Sequence, residues 1–140
     1  MSAQLNLRVR NAFAEIPPAN EATSRWLADN HAPPAADYLA NLAIEEFVTN
    51  CIKYGFNDSN EHVIDIELRL SPDELVLIVT DDGNPFNPLK CPEPDINLPV
   101  EERPIGGLGI FMLRKMFDGM DYAREDGKNR VTLRKSFSNK

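Results

Sequence analysis

Two stretches of the chain alternate strictly between apolar and polar residues. Leu5, Leu7 and Val9 alternate with Asn6, Arg8 and Arg10, the period of a strand with one face buried. Ile64, Ile66, Leu68 and Leu70 alternate with Asp65, Glu67 and Arg69 in the same way. A turn at Ser71-Pro-Asp73 leads into an apolar run from Glu74 to Thr80, and these two runs predict a hairpin in an antiparallel sheet. Helical spacing covers roughly Ala19 to Asn30, after Pro17-Pro18 and stopped by Pro33-Pro34, and again Ala35 to about Tyr54, ending near Gly55.

The pattern breaks down from Asp82 to Pro104, where prolines stand at 85, 88, 92, 94, 99 and 104. A stretch of that length without regular structure is uncommon in a compact domain unless it is a functional loop or disordered. Order returns with a helix from about Leu108 to Phe117, a strand near Met120 to Arg124, a tight turn at Glu125-Asp-Gly-Lys128 and a strand from Arg130 to Phe137. The expected architecture is α+β: a two-layer sandwich with helices on one face of a mostly antiparallel sheet. With 140 residues and no internal repeat or linker, one domain over 1–140 is expected.

Composition narrows the function without choosing it. The net charge of −7 argues against general binding to nucleic acid, whose phosphates attract dense Lys/Arg patches. No apolar run is long enough to span a membrane, and the start lacks the apolar core of a signal peptide, so the expected compartment is the cytoplasm. Cys51 and Cys91 lack metal-ligand spacing. His31 in a proline-bounded turn and His62 at a strand start read as structural, and no Ser/His/Asp arrangement suggests a hydrolase triad.

Four blocks carry candidate chemistry. In Glu46-Phe-Val-Thr-Asn50 the two polar ends lie about 40° apart around a helix, one turn above the other. They continue a stripe begun by Leu39, Leu42 and Ala43, so a stripe that starts apolar turns polar, as it would beside a cavity. The Asn50 carboxamide suits magnesium, and Glu46 suits a proton acceptor. The pair alone reads equally as a solvent-facing surface.

Asp81-Asp-Gly83 ends an apolar strand, where a carboxylate can accept the exocyclic amine of adenine and a glycine lets a ring approach the backbone. An ordinary strand exit has the same residues. Gly106-Gly-Leu-Gly109 precedes a helix, whose exposed N–H groups and dipole favour phosphate; a plain hinge is the other reading. It is not a P-loop, since no Lys-Ser or Lys-Thr follows, nor a dinucleotide fingerprint, since Met112 stands where the third glycine would be. Thr132, in Asn129-Arg-Val-Thr132, is a candidate for an inward hydroxyl near the base, and also simply a good strand former.

In this order the blocks resemble the GHKL ATPases of the Bergerat fold, which include gyrase-type topoisomerases, sensor histidine kinases and anti-sigma-factor serine kinases. Glu46 to Asn50 resembles the N box, Asp81-Asp-Gly83 the first glycine box and Gly106 to Gly109 the second. The style is that of the anti-sigma-factor kinases, shown by Glu45-Glu-Phe-Val-Thr-Asn-Cys-Ile-Lys-Tyr-Gly55 and Asp81-Asp-Gly-Asn-Pro-Phe-Asn-Pro-Leu89. The likeness runs from about Leu5 to Phe137.

The resemblance implies Glu46 as catalytic base, Asn50 holding Mg2+ against the phosphates, and Asp81 reading adenine with Gly83 beside the ring. It further implies support from Thr132, phosphate contacts at Gly106, Gly107, Leu108 and Gly109, and a lid over residues 87–105. Lys53 and Arg103 are phosphate neighbours by position and charge.

The implied ligand is ATP (or ADP). The implied activity is phosphorylation of a serine or threonine on a small anti-sigma-factor antagonist, with sequestration of a sigma factor and assembly as a homodimer. The alternative is an ATP-dependent binding module without kinase activity, or another stand-alone ATPase of the group. A histidine-kinase half is disfavoured by the lack of a dimerisation helix with a phosphoacceptor histidine, and a gyrase-like motor by the lack of a transducer domain.

Overall fold

The computed structural model describes residues 2–90 and 107–137, with the side chains of residues 107 and 108 outside that description. Five strands form one sheet: β1 (Ala3–Arg10), β2 (Val63–Leu70), β3 (Glu74–Asp81), β4 (Gly119–Glu125) and β5 (Lys128–Ser136). Their order is β1-β2-β3-β5-β4, and every neighbouring pair is antiparallel. Three α-helices complete the fold: α1 (Ile16–Asp29), α2 (Pro34–Tyr54) and α3 (Gly107–Met116). This is the expected α+β sandwich.

The strand registers follow the alternation in the sequence. Leu5, Leu7 and Val9 pair with Leu68, Ile66 and Ile64, and Leu77 and Val79 pair with Leu133 and Val131. All of these face the helix layer, because side chains two apart on a strand share a face. The expected β2–β3 hairpin is present, its turn closed by Ser71 N donating to Glu74 O at 2.9 Å. The β4–β5 turn places Asp126 and Gly127 at positive φ, 53° and 75°, as a two-residue hairpin with Asp-Gly requires.

Helix α2 is the central beam. Its buried residues, Ala36, Leu39, Ala40, Ala43, Ile44, Phe47, Val48 and Cys51, recur at three- and four-residue steps and keep one stripe in the core. The small side chains at 36, 40 and 43 are fully buried, which lets α1 and the sheet approach closely. Pro34 opens the helix, Asp37 lies in its first turn, Lys53 in its last, and Gly55 follows, an arrangement favoured by the dipole and by helix-end geometry.

One boundary differs from expectation. Pro17 and Pro18 do not precede α1 but occupy its first turn, where a missing N–H costs nothing because no partner for it exists there. Among the described residues no helix is long and apolar enough to cross a membrane. Most of the expected lid, together with Cys91, Arg103 and Gly106, lies outside the described residues.

Candidate functional site

The C-terminal half of α2, the end of β3 and the start of β5 enclose a cavity of about 260 Å³. Phe47, Val79, Val131 and Phe86 supply its apolar walls; Asn50, Asp81 and Asn129 supply polar groups. A few directed polar atoms in an apolar cleft are the usual form of a small-ligand site. A larger depression of about 490 Å³ lies on the opposite sheet face, among Asn6, Glu67, Thr80, Lys128 and Arg130. None of the four sequence blocks contributes a candidate side chain to it, whereas the smaller cavity takes Asn50 and Asp81 from two of them.

Asp81 is fixed before any ligand arrives. Its Oδ1 accepts from Gly83 N at 2.8 Å and from Asn129 Nδ2 at 3.1 Å, and its Oδ2 accepts from Cys51 Sγ at 3.4 Å. Burial, and then the charge of Asp81, push the Cys51 thiol far above its usual range, so this sulfur is a neutral donor and not a nucleophile. Gly83 has a different task from the one expected. It does not line the cavity; a Cβ there would fall 2.6 Å from Gly55 O. The neighbouring Asn84 N donates to that same carbonyl at 2.6 Å. The glycine therefore lets the strand exit lie directly on the end of α2, and it is Gly55 that faces the cavity.

Glu46 and Asn50 project from α2 and are both half-buried. Gly109 lies in the first turn of α3, hard against Glu46: a Cβ at 109 would fall 1.6 Å from Glu46 Oε1. Two blocks far apart in sequence thus meet, and the carboxylate lies beside a helix start where free N–H groups gather. Burial raises the Glu46 pKa, the Glu45 charge adds to the rise, and the Lys53 charge opposes it. Lys53 itself is exposed and lines no part of the cavity. The side chain of Leu108 is outside the described residues.

Asn50 Nδ2 is buried without a hydrogen-bond partner. An orphan of this kind costs roughly 1–3 kcal/mol, so this amide is not committed to the protein. A carboxamide with a carboxylate one turn away is a hard-oxygen set that fits magnesium, which keeps several waters and needs few protein ligands. Among the described residues no cluster of three or more His, Cys, Asp or Glu could hold a metal, so a closed, all-protein metal cage is not what this site offers.

Thr132 requires a correction. It pairs with Ile78 and shares their sheet face with Arg130 and Arg134, opposite to the cavity, so its hydroxyl does not point inward. The inward residue is Asn129, 3% exposed and paired with Asp81. A signal for it existed: Asn129 has the same parity as Val131 and Leu133, a polar residue on the apolar side of an alternating strand.

His62, expected to be structural, stacks on Phe56 with ring centroids 3.8 Å apart and an interplanar angle of 7°. Its Nε2 lies 2.7 Å from Asp58 Oδ1 and its Nδ1 3.4 Å from Asp82 Oδ1. The ring ties the loop after α2 to the turn that follows Asp81.

The model of the histidine kinase-like ATPase domain matches residues 9–135. The chain belongs to this family. Its relatives include the serine/threonine-protein kinase BtrW of Bordetella bronchiseptica, 25% identical over 96 residues that make up 69% of this chain and 68% of BtrW. The serine-protein kinase RsbW of Staphylococcus aureus is 27% identical over 63% of this chain and 58% of its own length. RsbW of Bacillus mycoides is 31% identical over 61% of this chain and 56% of its own length. The chain thus spans little more than half of the RsbW proteins it matches.

Proposed function

We propose that this histidine kinase-like ATPase domain binds ATP in the α2–β3–β5 cavity and transfers its γ-phosphoryl group to a serine or threonine of a small partner protein. The observation that carries the reading is the meeting of Glu46 with the first turn of α3, beside the cavity that Asp81 closes from another side. Asp81 reads the adenine amine. Gly107 and Gly109 at the start of α3 receive the phosphates, with Lys53, the backbone of Leu108 and, from outside the described residues, Gly106 and Arg103 as further neighbours. Asn50 would hold Mg2+, which when bound neutralises phosphate charge.

Glu46 acts as general base. The acceptor hydroxyl oxygen bonds to the γ-phosphorus, its proton passes to the Glu46 carboxylate, and the bond from phosphorus to the β,γ-bridging oxygen breaks to release ADP. Such transfer needs alignment and charge balance more than covalent help from the protein. With Glu46 as base, its raised pKa should shift the acid limb of the rate profile upward from that of an ordinary glutamate.

The likeness to serine-protein kinases supports a serine or threonine acceptor; an antagonist of the anti-sigma-factor kind as that acceptor, a sigma factor as the sequestered partner and a homodimer as the working form follow from the resemblance of the sequence blocks to anti-sigma-factor kinases. Labelled ATP tests the reading. Wild-type protein should transfer label to a candidate antagonist, and Glu46→Ala should bind nucleotide with unchanged affinity but lose transfer. Transfer at full rate by that variant removes Glu46 from the mechanism; nucleotide binding without label on any partner leaves an ATP-dependent binding module.

A further inference from the structure

Among the described residues, Asn129 has the most fully committed side-chain amide in the molecule. Its Nδ2 donates to Asp81 Oδ1 at 3.1 Å and to Asn84 O at 2.8 Å. Its Oδ1 accepts from Phe86 N at 3.2 Å and from the Tyr122 hydroxyl at 2.5 Å. Two donors and two lone pairs are all that a carboxamide has, and each is used.

The orientation of this amide is fixed by chemistry. Phe86 N can only donate, while the Asn84 carbonyl and the Asp81 carboxylate can only accept. A flipped amide would set oxygen against oxygen and N–H against N–H. Tyr122 reaches the amide from β4, at the edge of the sheet, and so extends the network beyond the cavity.

We propose that Asn129, braced by Tyr122, is a positioning residue that sets purine specificity by holding the Asp81 carboxylate in one rotation. This rests on the reading of the cavity as an ATP site. With Oδ1 taken by Gly83 N and Asn129 Nδ2, the remaining oxygen, Oδ2, has among the described residues only the thiol of Cys51 as a donor, and a thiol is a weak one. Oδ2 is therefore the acceptor kept for the strong donor of a 6-aminopurine. A 6-oxopurine presents a carbonyl oxygen to that carboxylate and is repelled. A carboxylate free to rotate would lose this selectivity, because water or its own rotation could then satisfy either base.

The test compares ATP with ITP, which differ at the 6-position, by calorimetry on wild type, Tyr122→Phe and Asn129→Asp. Wild type should prefer ATP by at least about a hundredfold, as sites built to hydrogen-bond one substrate group discriminate strongly. Tyr122→Phe keeps the ring and removes one donor to the amide; the ATP-to-ITP ratio should fall about three- to tenfold. Asn129→Asp sets two carboxylates side by side, and the ratio should fall further, chiefly through loss of ATP affinity.

An unchanged ratio in Tyr122→Phe, or affinities for ATP and ITP that drop in parallel in a folded Asn129→Asp, overturns the proposal while leaving the ATP site intact. Absence of ATP binding by wild type overturns the cavity reading itself, and this proposal with it.

Discussion

The two ends of the cavity are built on opposite plans. At the β3–β5 end, Asp81, Asn129, Tyr122 and the backbone of Gly83, Asn84 and Phe86 form a closed network. At the α2–α3 end, Asn50 Nδ2 is buried without a partner, and burial lifts the Glu46 pKa. A satisfied buried network is rigid, and an unsatisfied one is costly. The difference separates what the protein fixes by itself from what it leaves for a ligand to complete: on the proposed reading, base recognition is preformed, whereas the proposed reacting end has, among the described residues, polar groups left uncommitted.

The largest effect is expected where the two helices meet. Gly109→Ala puts a methyl where the Glu46 carboxylate now lies, so Glu46 must move. Phosphoryl transfer should fall by about a hundredfold or more, since a 1 Å displacement of an aligned group has that effect. The melting temperature should change little, because Glu46 is only half-buried. Equal rates in a transfer assay would show that the place of Glu46 against Gly109 does not matter to transfer.

At the closed end the contrast reverses, and stability should suffer first. Asp81→Asn replaces an acceptor-only group by one whose amide nitrogen must face a donor. Denaturant unfolding should show a loss of about 1–3 kcal/mol, with ATP affinity down at least tenfold. A variant as stable as wild type would mean that the network is not under load.

A smaller effect concerns pH. Hydrogen bonding to Asp58, followed by the charges of Asp58 and Asp82, raises the His62 pKa from its ordinary value. The folded state thus binds the proton more tightly than the unfolded chain does. Its contribution to stability is fully present below about pH 6.5 and is lost as the pH rises through the raised folded value. Melting temperatures followed upward from pH 6 should therefore decline, and the decline should flatten in His62→Gln. The smallest effect belongs to Asn50→Ala without nucleotide: removing the orphan amide relieves its desolvation cost, so stability should be no lower than wild type, while any magnesium-dependent gain in nucleotide affinity disappears.

Much of this was legible in the chain because its cues are local. Alternation marked β1 and β2 to within a few residues, Asp-Gly marked the β4–β5 turn, and Glu46 with Asn50 could be placed on one helix face by spacing alone. What escaped depended on register. Thr132 and Asn129 both stand in the last strand; parity with Val131 and Leu133 puts Asn129 on the inward face, but only the pairing with Asp81 names its partner. Tyr122 gave no sign at all, because its hydroxyl matters only through a partner on the next strand. The contact of Glu46 with Gly109 was hidden for the same reason: it arises from the packing of α2 on α3. Likewise the sequence at Gly83 suggests room for a ring, whereas the nearer demand on it is the carbonyl of Gly55.

That last contact joins moving parts. The beam that bears Glu46 and Asn50 ends in a carbonyl resting on the turn that immobilises Asp81, with no side chain between to absorb play. Any tug on the beam from the α3 side would reach the proposed adenine pocket as a displacement of backbone against backbone, and a ligand gripped there would be felt in return along the beam.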